Sequence, residues 1–403
     1  MNLLLFHKRF KWIIFSSFVS SIGDGIGLIA ILSILGFEGK SPSIFGVALT
    51  LILWKIPFII LFPITGLIVD KVNAKKAMIF ADLIRSLLIM LLCYHMPHLI
   101  IIILFLFITA FSTLFLSANF SLIPEIISPD LLAGSHSLSM IIGAIASIIG
   151  PILGGIVISI FGKNAALSLD SLSFLLSAFF IFRVTYHIKV KKDKANMKIS
   201  KNILKKMVLI LMPLIILPFF TGIFDLFIPF LFSKSKGGFF MLNFGIAFSI
   251  KGMGIFFATI LLLFKPKKGI ILINPAIFLA LIGLLATFFF LNLYNIFICI
   301  IFFLITFLTT LFLSLYLSFI QQNMPLTMRG RLYGIFAAFS NISFIFSLIM
   351  GTFLGKRIGL EETIGGIGVI LIIFAGFTLL KPAKKYFNLK QGQGKEHFFR
   401  VLG

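Results

Sequence analysis

Apolar stretches of membrane-spanning length follow one another almost without pause from Trp12 to Leu380, and there are about twelve of them. A helix needs about 20 mostly apolar residues to cross a hydrocarbon core of about 30 Å. Backbone in lipid must satisfy its own hydrogen bonds, so each stretch reads as a helix. Hydrophobic residues make up 60% of the 403 positions, which leaves little chain for a water-soluble domain. The expected fold is an all-α membrane protein of 12 transmembrane helices in two pseudo-symmetric six-helix bundles. The spans fall near 12–35, 44–69, 77–95, 98–122, 136–161 and 165–183, then 207–232, 240–264, 270–291, 295–320, 331–355 and 363–381.

A net charge of +23 suggests nucleic acid in a soluble protein. Here its placement argues otherwise. Of the 35 Lys and Arg, 26 fall on one set of alternate loops and six on the opposite set, leaving Lys55, Arg85 and Lys251 within spans. The positive-inside rule then puts both termini in the cytoplasm, as an even number of crossings requires. The basic residues serve orientation and anionic headgroups, and no nucleic-acid partner is expected. Leu3 to Phe6 is too short for the apolar core of a cleavable signal, so the first span is expected to act as an uncleaved anchor in the cell membrane. Cys93 and Cys299 show no ligand spacing and read as small apolar fillers.

The chain divides into an N-terminal six-helix bundle (1–187), a lysine-rich cytoplasmic linker (188–206), a C-terminal six-helix bundle (207–382) and a cytoplasmic tail (383–403). Pro129 and Gly134 recur as Pro325 and Gly330, Gly155 as Gly351, and Lys55 as Lys251, all at an offset of 196 residues. A duplicated bundle of this kind has a pseudo-two-fold axis along the membrane normal, and places a substrate site between its halves near midplane.

Ionisable groups inside lipid are costly and mark function by default. Asp24 lies past the middle of the first span and Lys55 near the middle of the second, at similar depth. Making and breaking such a pair is a physical route to proton coupling. Asp170 and Asp225 lie towards the outer ends of their spans, facing either the central cavity or the wet headgroup region; for Asp170 the headgroup position is expected. Lys251 repeats Lys55, with a coupling role and a packed or snorkelling role both open. Asp82 and Arg85 are one turn apart near the cytoplasmic end of the third span. All six histidines map to ends or loops, which argues against a histidine relay. No metal cluster is evident, and His95 with His98 reads as a wet loop. No phosphate-cradling GxxxxGK[ST] loop exists, so energy has to come from an ion or substrate gradient and no cofactor is expected. Some of the 52 phenylalanines should line a cavity suited to amphipathic ligands.

Two further motifs stand out. Gly66-Leu-Ile-Val-Asp70-Lys71 opens the short cytoplasmic loop after the second span, and Lys75 and Lys76 follow. Gly150-Pro151-Ile-Leu-Gly154-Gly155 sits inside the fifth, where small residues permit close packing and proline loosens the helix. With these, Ser21-Ile-Gly23-Asp24, Lys55-Ile-Pro57, Ala81-Asp82-Leu-Ile-Arg85, Ile123-Pro124-Glu125 with Pro129, Leu169-Asp170-Ser171-Leu-Ser-Phe174 and Arg329-Gly330-Arg331 give a chain that resembles a major facilitator superfamily transporter. It is most similar to the drug and siderophore exporter branch, which includes macrolide-efflux and enterobactin-exporter types.

The resemblance implies that Gly66, Asp70, Lys71, Lys75, Lys76, Asp82 and Arg85 form a cytoplasmic gate, and that Gly150, Pro151, Gly154 and Gly155 form an antiporter-type helix motif. Asn73 stands where the family often has glycine, Ala74 where it often has a basic residue, and Lys71 replaces the commoner arginine, which implies a looser lock. Phe264 to Gly269, the corresponding segment of the second half, lacks the acid. The expected activity is proton-coupled export of a small organic or amphipathic compound by a monomer rather than an enzymatic reaction. Lysophospholipid or metal export on the same fold, and a non-transporting receptor or assembly role, remain alternatives.

Overall fold

A computed structural model describes residues 8–38, 41–127, 131–185, 216–230, 240–264, 275–288, 295–323 and 326–378. Twelve helices occur among them: α1 (Lys8–Leu35), α2 (Ile44–Lys71), α3 (Ala74–Leu91), α4 (His98–Ile126), α5 (Leu132–Phe161), α6 (Lys163–Phe182), α7 (Ile216–Phe230), α8 (Phe240–Phe264), α9 (Pro275–Thr287), α10 (Asn295–Asn323), α11 (Leu326–Ile358) and α12 (Leu360–Thr378). By length and composition eight of them can cross a membrane: α1, α2, α4, α5, α6, α8, α10 and α11. Large apolar side chains such as Ile60, Phe107, Phe179 and Ile373 stand exposed, as lipid-facing positions should. The fold is all-α apart from a two-strand ribbon, β1 (Phe37–Glu38) with β2 (Ser41–Pro42), paired antiparallel where the sequence suggests only a loop. Pro129, Pro325, the linker 188–206 and the tail 383–403 lie outside the described residues.

Local chemistry sets the connections. Ser43 caps α2, accepting a hydrogen bond from the Gly46 amide at 3.4 Å. Asn73 caps α3 through the Lys76 amide at 3.2 Å, so the residue that departs from the family's loop pattern is the one that restarts the helix. The loop expected between 69 and 77 is accordingly shorter: Gly66–Lys71 closes α2, Lys75 and Lys76 open α3, and only Val72 and Asn73 connect them. Pro124 is accommodated inside α4, which runs four residues past its expected end at 122 to Ile126. The α5–α6 and α11–α12 connections each turn on one glycine with positive φ, Gly162 at 83° and Gly359 at 98°.

The chain forms two compact units, Met1–Val190 with Leu226–Phe256, and Lys191–Asp225 with Phe257–Gly403. In the first unit α1 packs on α5 and α6, α3 on α4 and α6, and α2 on α4. Two apolar clusters form there. One gathers Phe10, Ile13, Met78, Ala81, Phe115 and Leu122, the other Ile26, Ala30, Ile89, Phe105, Leu167 and Phe174. Between these clusters the buried positions are Ser16, Ser20 and Gly23 on α1 and Asp82, Arg85 and Ser86 on α3, so a polar layer separates them. In the second unit α9 packs on α10 and α12, and α11 on α12. There Phe224 stacks on Phe302 with ring centroids 6.0 Å apart.

An alanine Cβ at Gly162 would meet nothing within 4 Å, so its cost is purely conformational. Gly162→Ala is expected to destabilise by about 1–3 kcal/mol. Gly143→Ala, in open space inside α5, is expected to be neutral or stabilising by up to about 1 kcal/mol. Thermal unfolding in detergent checks both, and equal midpoints for the two variants would contradict this account.

Candidate functional site

The polar layer of the first unit is organised around Arg85 of α3, which is 1% exposed. Its guanidinium carbon lies 4.0 Å from the ring centroid of Phe174 and 4.7 Å from that of Phe115, so each apolar cluster contributes one face of an aromatic sandwich. Nη2 pairs with Asp82 Oδ1 one turn back on the same helix. Nη1 donates to Ser112 Oγ at 3.3 Å and stands 3.9 Å from Asp24 Oδ1. Nε is buried without a partner.

The two pairs differ in kind. Asp82 is fully buried and accepts a second hydrogen bond from Ser177 Oγ at 2.6 Å, and Ser177 in turn meets Ser16 Oγ at 2.8 Å. Asp24 keeps 44% of its side chain accessible and holds only the long contact. Asp170 on α6 completes the group. It is 2% exposed, and its carboxyl presses against Gly23 and Gly27 of α1. This corrects the expectation of a wet headgroup position. Next to it Ser86 and Ser171 join α3 to α6 at 2.8 Å.

The structure therefore brings Asp24, Asp82, Arg85 and Asp170 together. The sequence points to Lys55 as the cation beside Asp24, but the structure puts Arg85 there. Lys55 is half-buried, with Nζ 4.9 Å from the Trp54 ring centroid. Lys251 is half-buried on α8, and Asp225 is buried on α7. Ser16, Ser112, Phe115 and Ser177 escape the sequence reading, as do the roles of Phe174, Gly23 and Gly27. A signal for them exists: Ser16, Ser20, Gly23 and Gly27 recur at spacings of four, three and four, which is one helix face.

At the end of α3 expected to face the cytoplasm, Lys75 Nζ donates to the Phe182 carbonyl at 2.8 Å and lies 5.3 Å from that residue's ring centroid. The lysine thereby satisfies an orphan carbonyl in the last turn of α6. Partial burial pushes its pKa below the ordinary lysine value. Lys76 is exposed, and of Gly66, Asp70 and Lys71 only the helical backbone is described.

The α5 motif has two working faces. Gly150 and Gly154 meet α1, where a Cβ on Gly150 would stand 3.0 Å from the Gly25 Cα and one on Gly154 3.0 Å from the Ile26 Cα. Gly155 meets α8 instead, where its Cβ would stand 2.6 Å from the Met241 carbonyl, and Pro151 touches both helices, its ring against Gly25 of α1 and its carbonyl against Gly245 of α8. Ser249 of α8 donates to the Ile148 carbonyl at 2.6 Å. Among the described residues no three His, Cys, Asp or Glu group as a metal site.

A family model described as Major Facilitator Superfamily matches residues 13–348. An uncharacterised MFS-type transporter of Bacillus subtilis (strain 168), YfiS, is 27% identical over 175 residues. That match covers 43% of this chain and 42% of the relative, so the chain spans under half the length of the curated relative it matches. Among solved structures, a point mutant of the nucleoside transporter NupG aligns at a TM-score of 0.69 and 15% identity, over 92% of this chain and 99% of that one. The peptide transporter POT in complex with sulfate aligns at 0.76 and 13%, over 94% and 95%.

Arg85→Leu leaves buried Asp82 without its counter-charge and is expected to cost about 3–5 kcal/mol. The double variant Arg85→Leu with Asp82→Asn removes both charges and should recover most of that loss. Thermal unfolding of the purified protein reads both; an Arg85→Leu variant as stable as the parent would refute the assignment.

Proposed function

The chain belongs to the Major Facilitator Superfamily, and on that premise we propose that it is a proton-coupled exporter of a small organic or amphipathic compound, drug-like or siderophore-like, working by alternating access. The observation that carries this reading is the Asp24–Arg85 contact: a buried guanidinium held at 3.9 Å by an acid that keeps 44% of its side chain accessible. An acid facing lipid would be costly, so its accessible side is best assigned to an aqueous cavity. Protonating Asp24 cancels its attraction for Arg85, and deprotonating it restores that attraction. Substrate binding can bias the same equilibrium.

In this proposal the two sequence halves rock about a midplane site in the cell membrane, with both termini cytoplasmic and a single chain sufficient. Lys55, Lys251 and Asp225 are further candidates for the cavity wall. Gly66, Asp70, Lys71, Lys75 and Lys76 form the cytoplasmic gate, supported by the hold of Lys75 on the end of α6. Asp82 and Arg85, grouped with that gate by resemblance, belong instead to the buried network. Gly150, Pro151, Gly154 and Gly155 set the close approach of α5 to α1 and α8.

The test is proton release from energised inside-out vesicles, followed by fluorescence, against a panel of drugs, siderophores and lysolipids. One compound class should give a signal that Asp24→Asn reduces at least tenfold. Silence across the panel from correctly inserted protein, or a full signal from Asp24→Asn, would overturn the proposal.

A further inference from the structure

The cluster around Arg85 holds one acid more than the Asp24 switch uses. Asp170 is 2% exposed, its Oδ1 meets no hydrogen-bond donor, and among the described residues it makes no ion pair. It lies in a notch of α1. Oδ2 fills the place a Cβ on Gly27 would take, while the place of a Cβ on Gly23 is filled by Ser173 Oγ, with Asp170 Oδ1 2.8 Å away. Glycine at 27 makes room for the carboxyl and glycine at 23 for Ser173, whose hydroxyl is turned to the Asp170 backbone carbonyl at 2.7 Å, and the notch sets the carboxyl beside the residue that precedes Asp24.

The charges that reach it are Asp24 from α1 and Arg85 from α3, with Asp82 behind Arg85. α5, the other neighbour of α6, carries only His136, which lies against Phe120. Three carboxyls thus share one guanidinium, and the other two occupy its contacts. A buried acid denied both donor and counter-ion is accommodated in its neutral form. The acids do not converge as a metal would require, so the cation that fits is the proton.

We propose that Asp170 is the proton-holding acid of this site, storing in the Gly23–Gly27 notch a proton that Asp24 collects and releases. This rests on the proton-coupled reading above. The step balances: the carboxylic proton of Asp170 passes to the Asp24 carboxylate, and the negative charge moves from Asp24 to Asp170. Arg85, released from Asp24, then becomes the counter-ion of Asp170, with its unpartnered Nε as the donor in reserve. Asp24 and Asp170 titrate as a coupled pair rather than as two independent acids.

Infrared difference spectra of the purified protein in nanodiscs, taken across a pH titration in water and in heavy water, read a protonated buried carboxyl directly. The parent should show a carbonyl band that shifts in heavy water and vanishes at high pH. Asp170→Asn should abolish that band, and Asp24→Asn should keep it. If Asp170→Asn fails to fold, Gly27→Ala, which intrudes on the carboxyl, should shift the band's titration midpoint. A band that survives Asp170→Asn, is lost in Asp24→Asn, or is unmoved by Gly27→Ala overturns the inference. A band assigned to Asp170 in a protein that moves no protons in vesicles sinks the export reading while leaving the storage site standing. Proton flux with no such band sinks the storage site alone.

Discussion

Arg85 cannot be left alone where it is. An unpaired cation in an apolar bundle is among the costliest things a fold can contain, and removing one partner of a buried pair typically costs about 3–5 kcal/mol. Much of the first unit reads as a response to that one charge. α3 supplies Asp82 at the next turn, α1 supplies Asp24, α4 supplies Ser112, and α4 and α6 each lay a phenylalanine ring on the guanidinium. The serines that follow, Ser177 on Asp82 and Ser16 on Ser177, carry the satisfaction of charge outward until it reaches neutral hydroxyls.

Lipid gives helices no hydrophobic reason to associate, so their approach has to rest on small residues, close packing and polar contacts. The contacts of α1 follow that rule along its length. Gly25 meets Gly150 of α5 backbone to backbone, Gly23 admits Ser173 and Gly27 admits Asp170 of α6, and Ser16 bonds Ser177. The same three helix surfaces therefore settle packing and charge together. A larger residue at Gly27 would displace the acid as well as the helix, which is why a steric substitution in α1 becomes a probe of protonation on α6.

The spans were legible because length and apolarity in lipid leave few alternatives to a helix. Asp24 and Arg85 were legible as anomalies, since a charge in an apolar run stands out by itself. Their partnership was not. Depth along a helix follows from counting residues, but which face meets which neighbour depends on helix rotation and order, and Lys55 lay at a similar depth to Asp24. Asp170 misled because a position towards the outer end of a span does not tell which face it takes; its face is turned to α1, and the serines beside it are bonded to α3 and to the backbone of α6. The loop motif was found, but its bounds were not, because Asn73 caps α3 two residues after α2 ends. The glycine seam of Gly155 against Met241 was hidden for another reason: it depends on which helices meet, and no spacing within either helix encodes that.

The two acids on Arg85 also differ in how readily each can let go. Asp82 is fixed by a direct pair, by a serine donor and by complete burial, so releasing it would strand both a cation and an anion away from water. Asp24 holds by one long contact and keeps an accessible side, so water or a proton can take over its charge as the pair opens. The energetic asymmetry follows from dielectric alone: the same charge separation costs far more where solvent cannot screen it. Any event that perturbs the cluster therefore acts first on the α1–α3 link while the Asp82–Arg85 unit stays intact as the fixed cation. A fixed charge pair on α3 with a releasable acid on α1 makes α1 the helix whose position reports the state of the cluster, and α1 is also the helix that both α5 and α6 pack against.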